Sequence, residues 1–101
     1  MAYNLSTYAE RDIENILTYT IETWGIRQFQ KYRDLINHSL DLIGNNPDAL
    51  TVRKREELFE GGNSYSFGKH VVFFRVKNDI IEIVRILHQK MDVESHIPEE
   101  Y

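Results

Sequence analysis

Two apolar runs near the end of the chain, separated by a short polar turn, constrain the fold most. Residues 70–76 and 80–87 are rich in β-branched and aromatic side chains, and Asn78 and Asp79 lie between them. Such runs favour β-strands, and this turn sequence favours a two-residue hairpin connection. Because both faces of the predicted hairpin are mostly apolar, we expect it to be central in a sheet, with cover on both sides.

The two-residue turn also predicts how the strands pair. It places Arg75 opposite Glu82, so that opposite charges meet across the strands. On the other face it places Arg85 among apolar side chains, where a guanidinium group requires an anion or several carbonyl groups. The further predicted pairs are Phe73 with Val84, Val71 with Ile86, Val76 with Ile81, Phe74 with Ile83, Val72 with Arg85 and His70 with Leu87.

Two amphipathic helices are predicted before the hairpin. Apolar residues recur every three or four positions over 9–24 and again over 26–43, and Gly25 interrupts the pattern. Thr7 and Glu10 have the spacing of a capping box, so the first helix is expected to begin there and to end near residue 24. The pattern therefore predicts two antiparallel helices joined at Gly25.

The apolar side chains of these helices fall into two groups. Trp24, Phe29 and Tyr32 are spaced as packed core residues. Three others lie off the main stripes, which predicts more apolar surface than one sheet face covers, and hence a candidate partner interface. These three are Ile21, Leu35 and Leu42.

The remaining segments complete a single α+β domain over residues 1–101. We expect a short opening strand at Leu5, a strand at 65–67, and a polar loop over 48–64 with at most one short strand near Leu58. Residues 97–101 are expected to form a frayed tail. The predicted architecture is a helical hairpin packed on a twisted, mainly antiparallel sheet of about four strands.

Composition excludes several classes of protein. The chain has 12 Lys and Arg against 16 Asp and Glu, a formal charge of −4, which disfavours binding dominated by phosphate neutralisation and sequence-specific nucleic-acid recognition. It has no cysteine, no signal-peptide pattern and no apolar run near the roughly 18 residues that a membrane span needs. We expect a cytoplasmic protein without a cofactor, and the scattered histidines argue against a metal site.

Ionisable side chains concentrate where the last predicted strand ends, at Arg85, His88, Lys90 and Asp92. No acid–base pair with an orienting partner can be assembled from them, so we interpret them as target-binding candidates, with no catalytic residue assigned. Two alternatives stay open. His88 could act as a general base, and Arg85 could instead form a structural salt bridge to a tail carboxylate, Asp92 or Glu94.

Residues 68–76, Gly-Lys-His-Val-Val-Phe-Phe-Arg-Val, and 81–92, Ile-Glu-Ile-Val-Arg-Ile-Leu-His-Gln-Lys-Met-Asp, resemble the signature of the ParE branch of the RelE/ParE toxin family. Residues 5–25 resemble the opening helix of that family, and the likeness extends over roughly 3–97. It implies a RelE-like fold, inhibition of DNA gyrase by trapping its cleaved-DNA complex, and neutralisation by a ParD-like antitoxin.

The resemblance leaves two alternative functions. RelE relatives cut messenger RNA on the ribosome, and one nuclease subgroup carries a His-Tyr pair at the end of the last strand. Here Gln89 follows His88, and no tyrosine occurs from there until Tyr101, which favours gyrase inhibition. The residues 56–74 also lack the arginine common in relatives. The third possibility is a degenerate member that binds an antitoxin without being toxic.

Overall fold

The computed structural model describes residues 2–101, which form two helices and five strands. None of the helices in this part of the chain is long and apolar enough to cross a membrane. In chain order the elements are β1 (Tyr3–Leu5), α1 (Thr7–Trp24), α2 (Ile26–Asn45), β2 (Arg53–Lys54), β3 (Asn63–Phe67), β4 (His70–Lys77), β5 (Ile80–His88) and a final 3-10 turn (Glu94–His96).

The five strands form one mixed sheet in the order β1-β5-β4-β3-β2, with β1 parallel to β5 and all other pairs antiparallel. The predicted α+β class is confirmed, with one strand more than expected. The short strand in the 48–64 loop is at Arg53–Lys54 and not near Leu58. It pairs with β3 as an exposed, basic edge strand, and an edge strand of two polar residues has no apolar alternation for a sequence to reveal.

The β4–β5 turn is formed by Asn78 and Asp79, whose φ angles of 53° and 61° are those of a tight hairpin turn. The predicted pairing of Arg75 with Glu82 is confirmed, and their side chains form an ion pair at 3.0 Å. The predicted pairs Val76 with Ile81 and Phe74 with Ile83 are confirmed as well.

The register predicted beyond Phe74 is wrong because β5 contains a bulge. Phe74 pairs with Ile83 but Phe73 pairs with Arg85, so Val84 is the extra residue. The remaining partners shift by one position, giving Val72 with Ile86, Val71 with Leu87 and His70 with His88. The bulge therefore places two histidines side by side at the end of the hairpin.

The N-cap of α1 is Ser6, and the capping box predicted from Thr7 is wrong. Ser6 Oγ accepts a hydrogen bond from the Ala9 backbone N–H at 3.0 Å and donates one to the Val84 carbonyl oxygen at 2.7 Å. The second bond connects the start of the helix to the bulged strand, which explains why this hydroxyl is the cap. Gly25, with φ of 89°, separates the two helices as predicted.

Two apolar clusters sandwich the sheet. The larger one packs the helices against the sheet, and the smaller one, on the opposite face, contains Phe59 and Phe73 under the C-terminal segment. The tail expected to be frayed contributes Tyr101, whose ring centroid lies 6.3 Å from that of Phe59 and 4.7 Å from the Arg75 guanidinium carbon. Trp24, predicted to be core, is 68% exposed.

Candidate functional site

An open cavity of about 580 Å³ lies between the helical hairpin and the end of the β4–β5 hairpin. Helices α1 and α2 supply one wall, and the turn before β4 together with the ends of β4 and β5 supplies the other. We call it the histidine pocket and define it by the side chains that give it its chemistry: Tyr19, Trp24, Tyr32, Lys69, His70 and His88.

Three rings pack edge-to-face in the histidine pocket. The His70 ring lies edge-on to both the Tyr32 and the His88 rings, with centroid separations of 5.3 Å in each case. Tyr32 Oη also forms a hydrogen bond with His70 Nδ1. Gly68 permits this approach, because it adopts φ of +50° and a Cβ there would lie 3.0 Å from Tyr32 Oη.

The protonation state of His70 follows from its surroundings. The pKa of His70 is lowered to about 4, mainly by burial and also by the nearby His88, while Asp12 opposes the shift. Burial raises the pKa of Tyr32, while a backbone hydrogen bond with Lys69 opposes that change. At neutral pH we therefore assign a neutral imidazole whose Nδ1 accepts the Tyr32 hydroxyl hydrogen, so the ring proton is on Nε2.

The ring proton of His88 is also on Nε2, but the group bonded to its Nδ1 is different. Its Nδ1 accepts a hydrogen bond from the Lys90 backbone N–H at 3.1 Å, and a nitrogen that accepts carries no proton, so the ring N–H is on Nε2. Within residues 2–101, neither His70 Nε2 nor His88 Nε2 has a hydrogen-bond partner. The pocket thus has two N–H donors that the fold leaves unused.

Arg85, on the same strand, forms hydrogen bonds through all three of its guanidinium nitrogens. Its Nε and Nη2 donate to the Asp12 carboxylate at 2.9 and 2.7 Å, and its Nη1 donates to the His96 carbonyl oxygen at 2.9 Å. Asp12 also accepts from the Ile86 backbone N–H at 2.9 Å. The expected salt bridge to Asp92 or Glu94 is wrong in its partner, because the carboxylate comes from α1. We call these contacts the Arg85 network.

Comparisons with known proteins place the chain in a family. Residues 3–93 match the family model described as the ParE toxin of type II toxin–antitoxin systems, parDE. The chain belongs to the ParE toxin family. Toxin ParE1 of Mycobacterium tuberculosis is 34% identical over 96 residues, and toxin ParE1 of Caulobacter vibrioides is 34% identical over 95 residues. Each alignment covers 94% of this chain and 96% of the relative.

Solved structures agree with the fold of this ParE-family toxin. A chain of the chromosomal ParDE system from P. aeruginosa superposes with a TM-score of 0.75 at 20% identity, covering 87% of this chain and 95% of that one. A chain of the RelBE2 toxin–antitoxin complex from M. tuberculosis gives 0.60 at 18% identity, covering 86% and 95%. At these identities the likeness concerns the fold alone.

The four target-binding candidates of this ParE-family toxin lie in different environments. Only His88 lines the histidine pocket, while Arg85 belongs to its own network. Lys90 and Asp92 are exposed, and the Asp92 carboxylate accepts from the Ser95 hydroxyl at 2.5 Å within the C-terminal turn. The four residues are close in the sequence, but the sequence does not show that their environments in the fold differ.

The antitoxin-interface candidates are also dispersed. Leu35 is half-buried against the core, where one of its methyl groups lies 3.3 Å from the position of a Cβ at Gly68. Ile21 and Leu42 are 39% and 42% exposed, and Leu42 borders a second cavity of about 120 Å³ near the end of α2. The three side chains thus differ in environment, and the exposed aromatic residues Tyr19 and Trp24 were missed.

His70 and Tyr32 were not predicted as site residues either. Their signals in the sequence are weak, since His70 faces His88 only because of the bulge, and Tyr32 is spaced like a core residue. A metal would need more ligands than the pocket supplies. Within residues 2–101 no group of three or more His, Asp or Glu side chains is arranged to hold a metal ion.

Proposed function

We propose that this ParE-family toxin acts by binding DNA gyrase and trapping its complex with cleaved DNA, without cleaving a bond itself. The observation that supports binding over messenger cleavage is the hydrogen bonding of the two pocket histidines. A general base that activates a ribose 2′-hydroxyl needs a free acceptor nitrogen. In His70 and His88 the acceptor Nδ1 is already occupied, and the remaining nitrogen is a donor.

The gyrase-binding surface we propose consists of His88, Lys90 and Asp92, at the end of β5 and in the segment that follows it. Lys90 and Asp92 are exposed, and His88 is half-buried with one donor unused. Arg85 supports this surface indirectly, because its bond to the His96 carbonyl oxygen fixes the C-terminal turn to the sheet. A contact surface of this kind loses affinity in steps as side chains are removed.

A ParD-like antitoxin is the partner we propose for neutralisation. The two solved relatives are described as a ParDE system and as a toxin–antitoxin complex. This chain retains large exposed apolar side chains along its helical hairpin, including Tyr19, Trp24 and Ile26 at 63%, 68% and 56% exposure. An antitoxin segment that orders on docking would cover them, with the binding energy of a wrapped interface offsetting the ordering entropy.

The decisive experiment compares two activities of the purified toxin. We expect inhibition of gyrase supercoiling and accumulation of cleaved-DNA complexes, with no ribosome-dependent messenger cleavage. Messenger cleavage by the parent toxin that His88→Ala abolishes, with an unchanged circular dichroism spectrum, would instead assign the chain to the nuclease branch. Absence of growth arrest on induced expression, with retained antitoxin binding, would identify a non-toxic member.

A further inference from the structure

We infer that the histidine pocket is the anchor site for an antitoxin segment that presents a carboxylate next to a bulky apolar side chain. The carboxylate accepts hydrogen bonds from His70 and His88 beside Lys69, and the apolar side chain packs against Tyr19 and Trp24. This inference rests on the proposed neutralisation by an antitoxin and specifies the chemistry of the segment that is bound.

The charge of the pocket supports an anionic group. The chain as a whole has more acidic than basic residues, 16 against 12. Yet among the residues that line this pocket in the described part of the chain there is a lysine, there are two histidines, and there is no Asp or Glu. The carboxylate nearby, Asp12, is bound to Arg85 and so is not available to neutralise the pocket.

The unused donors support hydrogen bonding to that anion. His70 and His88 each have Nδ1 occupied as an acceptor, so each ring offers an Nε2–H group. A carboxylate is an acceptor only, with two oxygens that can serve two donors, and hydrogen bonds to charged groups are the stronger class. An amide side chain of the same shape would bring its own N–H donors toward a pocket that already has donors.

The aromatic rim supports an adjoining apolar side chain. Tyr19 and Trp24 are 63% and 68% exposed, which leaves two large rings in contact with water. Aromatic side chains of this kind gain both from burial of area and from ring contacts when a partner covers them. A cavity of about 580 Å³ is within the range that encloses small ligands, so it has room for two neighbouring side chains.

A peptide explains the pocket better than a nucleic acid does. Nucleic-acid sites combine aromatic platforms with several cations that follow the phosphate backbone. This pocket has one lysine, and the protein carries a net charge of −4 that would repel a polyanion. A single carboxylate on a peptide, in contrast, needs only the donors of His70, His88 and Lys69.

The experiment uses Trp24, the single tryptophan of the chain, as a fluorescent reporter of this pocket. The full-length toxin is titrated with short acetylated and amidated peptides that contain a Leu-Glu step, a Leu-Gln step or an Ala-Glu step, and with adenosine monophosphate. We expect the Leu-Glu peptide to bind about tenfold more tightly than the Leu-Gln peptide, the difference attributable to charge-assisted hydrogen bonds. The Ala-Glu peptide should bind more weakly as well.

Variants assign the effect to the pocket. Lys69→Gln and His70→Phe should each reduce the preference for Glu over Gln, and Lys77→Gln, at the opposite end of β4, is the matched control that should retain it. Equal affinity for the Glu and Gln peptides, tighter binding of the nucleotide, or no change of Trp24 emission with any peptide would overturn the inference. Gyrase inhibition is assayed on the same preparation, so failure of the anchor site and failure of the proposed target are separately visible.

Discussion

Arg85 and His88 lie on the same strand, three positions apart, yet their hydrogen bonding differs. Arg85 donates through Nε, Nη1 and Nη2 to Asp12 and to the His96 carbonyl oxygen. His88 has one nitrogen bonded to the Lys90 backbone and the other without a partner in residues 2–101. A polar group whose bonds are completed inside the protein stabilises the fold, whereas one with an unused donor remains available for binding.

The difference arises because β1 pairs with only the first part of β5. Strand β1 pairs with β5 only as far as Ile83, after which the chain turns into α1. The edge that follows is completed by Ser6, the N-cap of α1, which donates to the Val84 carbonyl oxygen, and by Asp12 of α1, which accepts from the Ile86 N–H. At the end of β5, where His88 lies, the histidine pocket separates the strand from α1 and α2.

Removing Asp12 should have the largest effect on stability. The Asp12 and Arg85 side chains are only 11% and 17% exposed, and Asp12→Ala would leave a mostly buried guanidinium and the Ile86 N–H without their acceptor. We expect a loss of about 3 kcal/mol in the free energy of unfolding, measured by urea denaturation. Glu14→Ala, an exposed carboxylate on the same helix, is the control. A loss under about 1 kcal/mol would contradict the structural role of the Arg85 network.

Acidification should destabilise the protein through the histidine pocket. The pKa of His70 is lowered to about 4 in the folded protein, against about 6.5 for a free histidine, so between these values the unfolded chain binds the proton and the folded one does not. Stability should therefore be complete above about pH 6.5 and should fall by about 1–3 kcal/mol as the pH decreases to 4.

Two histidine variants test whether His70 causes the pH dependence of stability. His70→Phe should remove most of the dependence between pH 4 and 6.5, whereas His38→Gln, an exposed position on α2, should retain it. Denaturant titrations at several pH values give the comparison. An unchanged pH dependence in His70→Phe would show that carboxyl groups elsewhere produce it.

The sequence predicts those features of the molecule that depend on neighbouring residues. Periodicity and Gly25 predict both helices with nearly correct ends, and the Asn78-Asp79 turn predicts the first pairs of the hairpin. The bulge at Val84 cannot be read from local pattern, because Ile83 and Val84 are both β-branched apolar residues and no glycine or proline in β5 marks the position. One unrecognised extra residue was enough to give wrong partners for the four residues 70–73.

The candidate site was less predictable because its parts are distant in the chain. Ionisable residues near the end of β5 indicated His88, which lines the histidine pocket, but the Asp12 partner of Arg85 is 73 positions away. Trp24 has the spacing of a core residue, although the residue is 68% exposed. Helical periodicity identifies which face of a helix is apolar, not where its cover ends.

Gly68→Ala should have an intermediate effect, because it tests the base of the histidine pocket. The added Cβ would lie 3.0 Å from Tyr32 Oη, at a residue with φ of +50°. We expect a loss of about 1–2 kcal/mol, from backbone strain and from displacement of Tyr32 away from His70. Gly25→Ala is the matched control, since φ there is +89° with nothing within 4 Å of the added atom. Equal effects on the His70 titration in the two variants, followed by NMR, would argue against a packing role for Gly68.

His88→Ala should have the smallest effect on stability. It gives the clearest comparison between the histidine pocket and the Arg85 network. The hydrogen bond it removes, from the Lys90 N–H, is exposed and can be replaced by water, so we expect a change under about 1 kcal/mol. Gyrase inhibition should nevertheless weaken, because a truncated contact residue typically costs ~1–4 kcal/mol of binding. Arg85→Ala should show the reverse order, with a large loss of stability that precedes any loss of activity. Supercoiling assays on both variants, at a temperature where circular dichroism shows each to be folded, make the comparison. Full inhibition by His88→Ala together with impaired inhibition by folded Arg85→Ala would mean that the strand contacts its target through the arginine, and that the unused donor of His88 serves only the antitoxin.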